Sequence, residues 1–192
     1  MSAQTQTSYL TPQEYLAMER LAQYKSEYFD GEIFAMSGAS PAHNRVVANA
    51  LTEINLQFKK RPCLVYANDM RVKVSPTGLY TYPDIVALCG PPRFDDNQKD
   101  TLLNPTVIIE VLSDSTQAYD RGKKFQHYRT LESLQEYLLI AQEECHVEHY
   151  VRQSGNEWLL TETNDLAAVI HLAAIQCQLA LADIYDKVEW SE

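Results

Sequence analysis

The sequence predicts an α+β or mixed α/β domain, with a central mixed β-sheet flanked by helices. Helical and strand periodicities follow in the order helix, hairpin, long helix, several strands, helix, more strands. Within them, Thr106–Leu112 is an uninterrupted apolar run, as expected of a central strand buried on both faces. The 192 residues, 45% hydrophobic and 22% charged, suit one globular core of ordinary size. Residues 1–192 therefore read as a single domain, with only the first ten or so expected to be flexible.

Thr11-Pro12-Gln13-Glu14 is a capping box with proline at the first helical position, and it opens a helix to about Leu21. Ser26 to Met36 reads as a hairpin turning at Asp30-Gly31. Ala42 to Lys60 is a long helix, with Val46, Val47, Ala50, Leu51, Ile54 and Phe58 on one stripe. Strands follow at Cys63–Tyr66, Met70–Val74 and Tyr82–Leu88; the alternation in the second predicts a half-exposed strand. Pro91 to Asp100 is a polar surface loop. After Thr106–Leu112, Ser113 to Thr116 supply caps for a helix to about Leu131. Glu136–Ala141, His146–Arg152 and Trp158–Thr163 form an antiparallel tail. A strand near Ala168–Leu172 and a short helix from Leu179 to Tyr185 complete the pattern.

The net charge of −10 argues against broad nonspecific nucleic-acid binding, while leaving room for a local basic patch. Residues 1–7 have no basic or apolar character that would make a secretory signal. Leu166 to Ile184 is apolar but interrupted by His171, Gln176, Gln178 and Asp183, so it does not read as a membrane span. A cytoplasmic protein is expected. Cys63, Cys89, Cys145 and Cys177 are scattered without a C-x-x-C pair, and in a reducing compartment they read as small buried hydrophobes.

The chemistry concentrates on two acids at the edges of apolar strands. Asp84 follows Pro83 and precedes Ile85-Val86-Ala87-Leu88, and Glu110 lies inside Val107–Leu112. A carboxylate in such a setting needs a partner, a metal or a proton. A hard cation such as Mg²⁺ takes oxygen ligands and assists phosphodiester hydrolysis. Asp84, Glu110 and the backbone carbonyl of Val111 are the candidate ligands. Lys124 is the candidate to hold the attacking water and offset transition-state charge. Asp120, Lys124 and Tyr128 are spaced i, i+4, i+8 on one predicted helix face. The structural alternatives are a strand-start role for Asp84, a buried salt bridge from Glu110 to Lys124, and a solvated Lys124.

These residues carry a family resemblance. Pro83-Asp84, Glu110-Val111-Leu112-Ser113, then Asp120, Lys124, Tyr128 and Glu136-Tyr137-Leu138-Leu139 resemble the PD-(D/E)xK nuclease superfamily. More narrowly they resemble its Uma-type branch of restriction endonucleases, as do Glu27-Tyr28-Phe29-Asp30-Gly31-Glu32 and His43-Asn44. The resemblance runs from about Thr11 to Val188. It implies a restriction-endonuclease-like fold and a Mg²⁺- or Mn²⁺-dependent endodeoxyribonuclease, with Asp84 and Glu110 as metal ligands. Its partner would be DNA, and pairing of subunits to cut both strands would make a homodimer. The superfamily usually places its lysine two residues after the acid. Leu112 stands there instead, and Lys124 would be the relocated lysine.

Accessory candidates are His43 at the start of the long helix, Glu53 within it, Glu32 on the hairpin, and Asp120 and Tyr128. Asp69 and Arg71 flank a strand start, where a surface role is favoured over contact with the site or DNA. In Cys145-His146-Val147-Glu148-His149, His146 and Glu148 face one way on a strand while Cys145 and His149 face the other, so the four cannot converge on one ion. The rival functions are a noncatalytic binding module that keeps the fold, which the acidic charge and Leu112 favour, and a metal-dependent hydrolase of smaller phosphoesters.

Overall fold

The computed structural model describes residues 9–113 and 116–190. The expectations for residues 1–8, and for Asp114 and Ser115 as cap residues, lie outside the described residues. Thr11 and Glu14 form the reciprocal cap: the Thr11 hydroxyl accepts from the Glu14 N–H at 3.3 Å, and the Glu14 carboxylate accepts from the Thr11 N–H at 2.8 Å. This cap starts α1 (Pro12–Glu19). Asp30 and Gly31 both take positive φ, as a two-residue hairpin turn requires. They join β1 (Ser26–Phe29) to β2 (Glu32–Ala35). Ser40 caps α2 (Pro41–Phe58) by accepting from the His43 N–H at 3.0 Å.

β3 (Cys63–Ala67), β4 (Arg71–Val74), β5 (Leu79–Thr81), β6 (Ile85–Cys89), β7 (Thr101–Leu102) and β8 (Val107–Leu112) follow. Next come α3 (Gln117–Tyr119), a π-turn over Asp120–Lys124, and α4 (Phe125–Tyr128). β9 (Glu136–Ala141), β10 (Val147–Arg152), β11 (Trp158–Thr163), β12 (Val169–Leu172), β13 (Cys177–Ala180) and α5 (Leu181–Ile184) complete the described chain. No helix among the described residues is long and apolar enough to cross a membrane.

Six strands form one sheet in the order β11-β10-β9-β8-β6-β3, parallel only between β8 and β9. β8 is thus central, as its apolar run predicts, and all six of its residues are buried. A second sheet runs β2-β1-β5-β4-β7. On one face of the large sheet α2 packs Val46, Ala50, Ile54 and Phe58 against Ile85, Ile109 and Leu138. Each such buried Val, Ile, Leu or Phe side chain contributes roughly 1.5–3 kcal/mol. On the other face Val86, Ile108, Leu112 and Leu139 meet Val72, Val74 and Leu79 of the second sheet. Glu110 belongs to this second face, between the two sheets.

Several expectations need correction. The strand foreseen at Tyr82–Leu88 starts only at Ile85, as β6, and the unforeseen β5 (Leu79–Thr81) just before it lies in the other sheet. Pro83 has no amide to give a ladder, so the chain breaks there and crosses from one sheet to the other. Asp84 therefore stands at the crossing. β4 is mostly buried rather than half exposed. Arg71 is not at the surface: its guanidinium donates to Tyr82 Oη at 2.7 Å and Thr101 Oγ1 at 3.0 Å and pairs with Asp100 at 3.1 Å. Asp69 is exposed and pairs with Lys25 at 3.1 Å. The helix foreseen through Leu131 is interrupted by the π-turn, and β13 replaces the first part of the helix foreseen from Leu179.

The cysteines are corrected too. Cys63 and Cys89 face each other across β3 and β6 and form a disulfide, while Cys145 and Cys177 are free. The bridge closes a loop between residues 26 apart, which in the chain-entropy account stabilises by about 3 kcal/mol. Urea denaturation with and without dithiothreitol should show a loss of that order, and Cys63→Ser should show the same loss without reductant.

Candidate active site

Extending the β6–β8 ladder by one pair explains why the two acids meet. Ile85 pairs with Ile109, so in the antiparallel register Asp84 falls opposite Glu110, on the same face. Both link through the backbone: the Asp84 N–H donates to Glu110 Oε2 at 3.4 Å, and the Val111 N–H donates to Asp84 Oδ2 at 2.8 Å. A strand residue directs its N–H and C=O to the same side, so the Val111 carbonyl also faces the Asp84 side.

Lys124 closes the group from the π-turn. Its Nζ lies 2.9 Å from Glu110 Oε1, 3.4 Å from Asp120 Oδ1 and 3.4 Å from Glu27 Oε1, with only 7% of its side chain exposed. Tyr128 donates its hydroxyl to Glu110 Oε1 at 2.8 Å. Tyr137 donates to the Asp120 carbonyl at 3.1 Å, satisfying backbone at the π-turn. π-Turns of this kind recur at functional sites. At the opposite edge, His43 Nε2 lies 3.2 Å from Asp84 Oδ2, and its Nδ1 is buried without a hydrogen-bond partner. Ser40 both caps α2 and donates to Gln142 Oε1 at 2.7 Å, which pins this helix end beside β9.

The electrostatics follow from too many acids around one cation in a buried place. Burial pushes Glu110 up to about 8; Lys124 opposes that shift, and Asp120 and Asp84 add to it. Burial raises Asp120 as well, against the pull of Lys124. Lys124 stays protonated well above its ordinary range: burial alone would lower it, but Glu110, Glu27 and Asp120 more than reverse that. Tyr128 and Tyr137 are held as neutral hydroxyls by burial and by Glu110.

The structure thus brings together Asp84, Glu110, the Val111 backbone, Lys124, Asp120, Tyr128 and His43. It leaves out Glu32 and Glu53. Glu32 is on β2, an exposed edge strand, and has no polar contact with the group. Glu53 is ten residues beyond His43, about 15 Å along α2, too far for its side chain to reach. The early acid that does join is Glu27, which no site reading had singled out. It is buried on β1 and accepts a short hydrogen bond from Thr81 Oγ1. β1 lies between β2 and β5, so an acid there is enclosed where one on β2 faces water. The signal was the nearness of Glu27 to the hairpin turn, but which strand is internal becomes visible only with β5 in place.

The only group of three His, Cys, Asp or Glu ligand atoms within 4.8 Å of one another among the described residues is His146, Glu148 and Glu162, outside this group. At the Asp84–Glu110 pair the side chains could therefore supply two ligands to a cation. That suits Mg²⁺, which usually keeps one or two carboxylates and fills its shell with carbonyl, water and substrate oxygens.

Comparison with known proteins agrees with this fold. A crystal structure of a "putative nuclease belonging to DUF820" from Anabaena variabilis superposes with a TM-score of 0.74 at 20% identity, over 94% of this chain and 99% of that one. An uncharacterized protein of Synechocystis sp. is 42% identical over 156 residues, 81% of this chain and 88% of its own. A second is 34% identical over 151 residues, 79% of this chain and 78% of its own. Residues 12–182 match the Uma2 family, described as "Putative restriction endonuclease". With that match spanning both crossing strands, the π-turn and the flanking helices, the chain belongs to the Uma2 family.

Proposed function

We propose that this chain is an endodeoxyribonuclease that hydrolyses phosphodiester bonds with Mg²⁺ or Mn²⁺. The observation that carries the reading is the convergence of Asp84, Glu110 and Lys124 from three distant segments onto one buried point. Asp84, Glu110 and the Val111 carbonyl would hold the cation, which supplies charge neutralisation at the phosphate and a more acidic bound water. Lys124 orients the attacking water and offsets the charge that develops on the phosphate oxygens. The water gives up a proton to solvent as its oxygen bonds to phosphorus, the phosphorus–sugar oxygen bond breaks, and the released oxygen takes up a proton from solvent. Tyr128 and Asp120 position Glu110 and Lys124, and His43 positions Asp84. Glu27 shares Lys124 with them and keeps its amine protonated. DNA is the substrate class that family membership supports. Arg45 and Lys123 expose positive charge on the two elements that carry His43 and Lys124, a local offset to the acidic whole.

The test is supercoiled plasmid incubated with Mg²⁺ or Mn²⁺. The wild type should nick or linearise it. Asp84→Asn and Glu110→Gln should cut at least roughly 100-fold more slowly, because losing a direct ligand costs no less than losing a group that merely orients one. Equal cutting by wild type and Glu110→Gln would end the proposal.

A second reading is a catalytically silent module with the same fold. Leu112, buried where the superfamily usually carries lysine, favours it. Calorimetric titration with Mg²⁺ and Mn²⁺ separates the two, since only the nuclease needs to bind a cation in the millimolar range.

A further inference from the structure

His146 immediately precedes β10 and Glu148 is its second residue, so two apart in extended chain they stand on the same side of the sheet. The β10–β11 register places Glu148 directly opposite Glu162. Two carboxylates facing each other in an antiparallel ladder repel. Their backbones are fixed by the ladder, so a positive charge between them relieves the repulsion.

The His146 imidazole occupies that position. Its Nε2 lies 3.5 Å from Glu162 Oε1 and 3.9 Å from Glu148 Oε1, and the three ligand atoms all fall within 4.8 Å of one another. A tetrahedral ion with bonds of about 2.0–2.1 Å holds its ligands about 3.4 Å apart. The two histidine contacts need to contract by only a few tenths of an ångström to meet that spacing.

Glu148 is already fixed in orientation. Its side chain is 6% exposed, its Oε2 accepts from the Tyr150 hydroxyl at 2.8 Å, and its Oε1 accepts from Arg121 Nε at 2.6 Å. A carboxylate oxygen offers two lone pairs, so the arginine leaves Oε1 capacity for a further partner. Glu162 is 57% exposed, which opens the cluster to solvent and to a water as fourth ligand.

We propose that His146, Glu148 and Glu162 form a binding site for a zinc-class divalent cation. An imidazole in the ligand set selects Zn²⁺, Co²⁺ or Ni²⁺ over Mg²⁺, which prefers oxygen alone. The site is separate from the oxygen-only pair Asp84 and Glu110. Glu110, Leu139, Glu148 and Glu162 run in one cross-strand row, so the two centres are two to three strand spacings apart, roughly 10–14 Å. The bound ion fastens β11, the outer strand of the large sheet, to β10.

The test is titration of the full chain with Co²⁺, followed by its visible absorption bands, and with Zn²⁺, followed by calorimetry and thermal unfolding. Wild type and Glu110→Gln should each bind one ion tightly in excess Mg²⁺ and gain thermal stability. His146→Ala and Glu162→Gln should lose tenfold or more in affinity and the gain in melting temperature, with unchanged circular dichroism. Both side chains are at least partly exposed, so the variants should fold. Unchanged Co²⁺ binding in His146→Ala, loss of binding in Glu110→Gln, or no Co²⁺ bands in the wild type would each overturn the proposal. The last result would leave the three as an ion-paired cluster only.

Discussion

Replacing Lys124 with methionine should destabilise the metal-free protein by roughly 3–5 kcal/mol at pH 8. Methionine keeps most of the volume, so the loss is one of charge. Among the described residues, Lys124 is the single cation within 3.4 Å of Glu27, Glu110 and Asp120, all of them buried. Without it, three carboxylates crowd a low-dielectric space between two sheets and must bind protons instead. The folded pKa values of Glu110 and Asp120, already raised by burial, then rise further above their unfolded values. The penalty is therefore largest at alkaline pH and shrinks as the pH falls toward the ordinary carboxylate range. Urea denaturation at pH 8 and pH 5 measures both. Mn²⁺ should raise the melting temperature of the variant more than that of the wild type, because a divalent ion restores positive charge at the same place. A variant as stable as the wild type at pH 8 would show that Lys124 does not compensate these acids.

That charge balance explains what the sequence reveals and what it conceals. Local signals were reliable: the Thr11–Glu14 cap, the Asp30-Gly31 turn, the apolar stripe of α2 and the central run of β8 all depend on neighbours in the chain. Asp84 and Glu110 stood out because a carboxylate beside apolar strand residues is conspicuous by itself. Lys124 had only helical spacing and family order to recommend it. What stayed hidden depends on register between distant strands. Cys63 meets Cys89 only because β3 pairs with β6 at that offset. Glu162 joins His146 and Glu148 only because β11 pairs with β10 as it does. Sequence reasoning rightly kept Cys145 and His149 off that face, and His149 indeed turns away to bond Glu136 at 2.6 Å. Glu27 was passed over for Glu32 because nothing local distinguishes an internal hairpin strand from an edge one. Arg71 reads as a surface residue until Tyr82, Thr101 and Asp100 come around it.

Glu110→Gln should make the metal-free protein more stable at pH 8, by an amount on the order of 2–4 kcal/mol, while slowing the proposed cleavage at least roughly 100-fold. Burial raises the folded pKa of Glu110 from 4.5 to about 8. Across that window the folded state holds a proton that the unfolded state has lost. The contribution of Glu110 to stability is thus fully present below about pH 4.5 and fades as the pH rises through about 8. Glutamine keeps the neutral form at every pH, so the variant and wild type should be similar near pH 4.5 and diverge above it. Denaturation curves at half-unit pH steps would reveal the divergence, and parallel curves would remove the buried proton from the account. Saturating Mn²⁺ should change the slope for the wild type alone, because the ion binds the carboxylate form and displaces the proton. A residue that weakens the empty protein and strengthens the loaded one is what a pocket evolved for a cation requires. A carboxylate kept only for folding would show the opposite sign, since its removal would leave Lys124 with one partner fewer and the protein weaker at every pH.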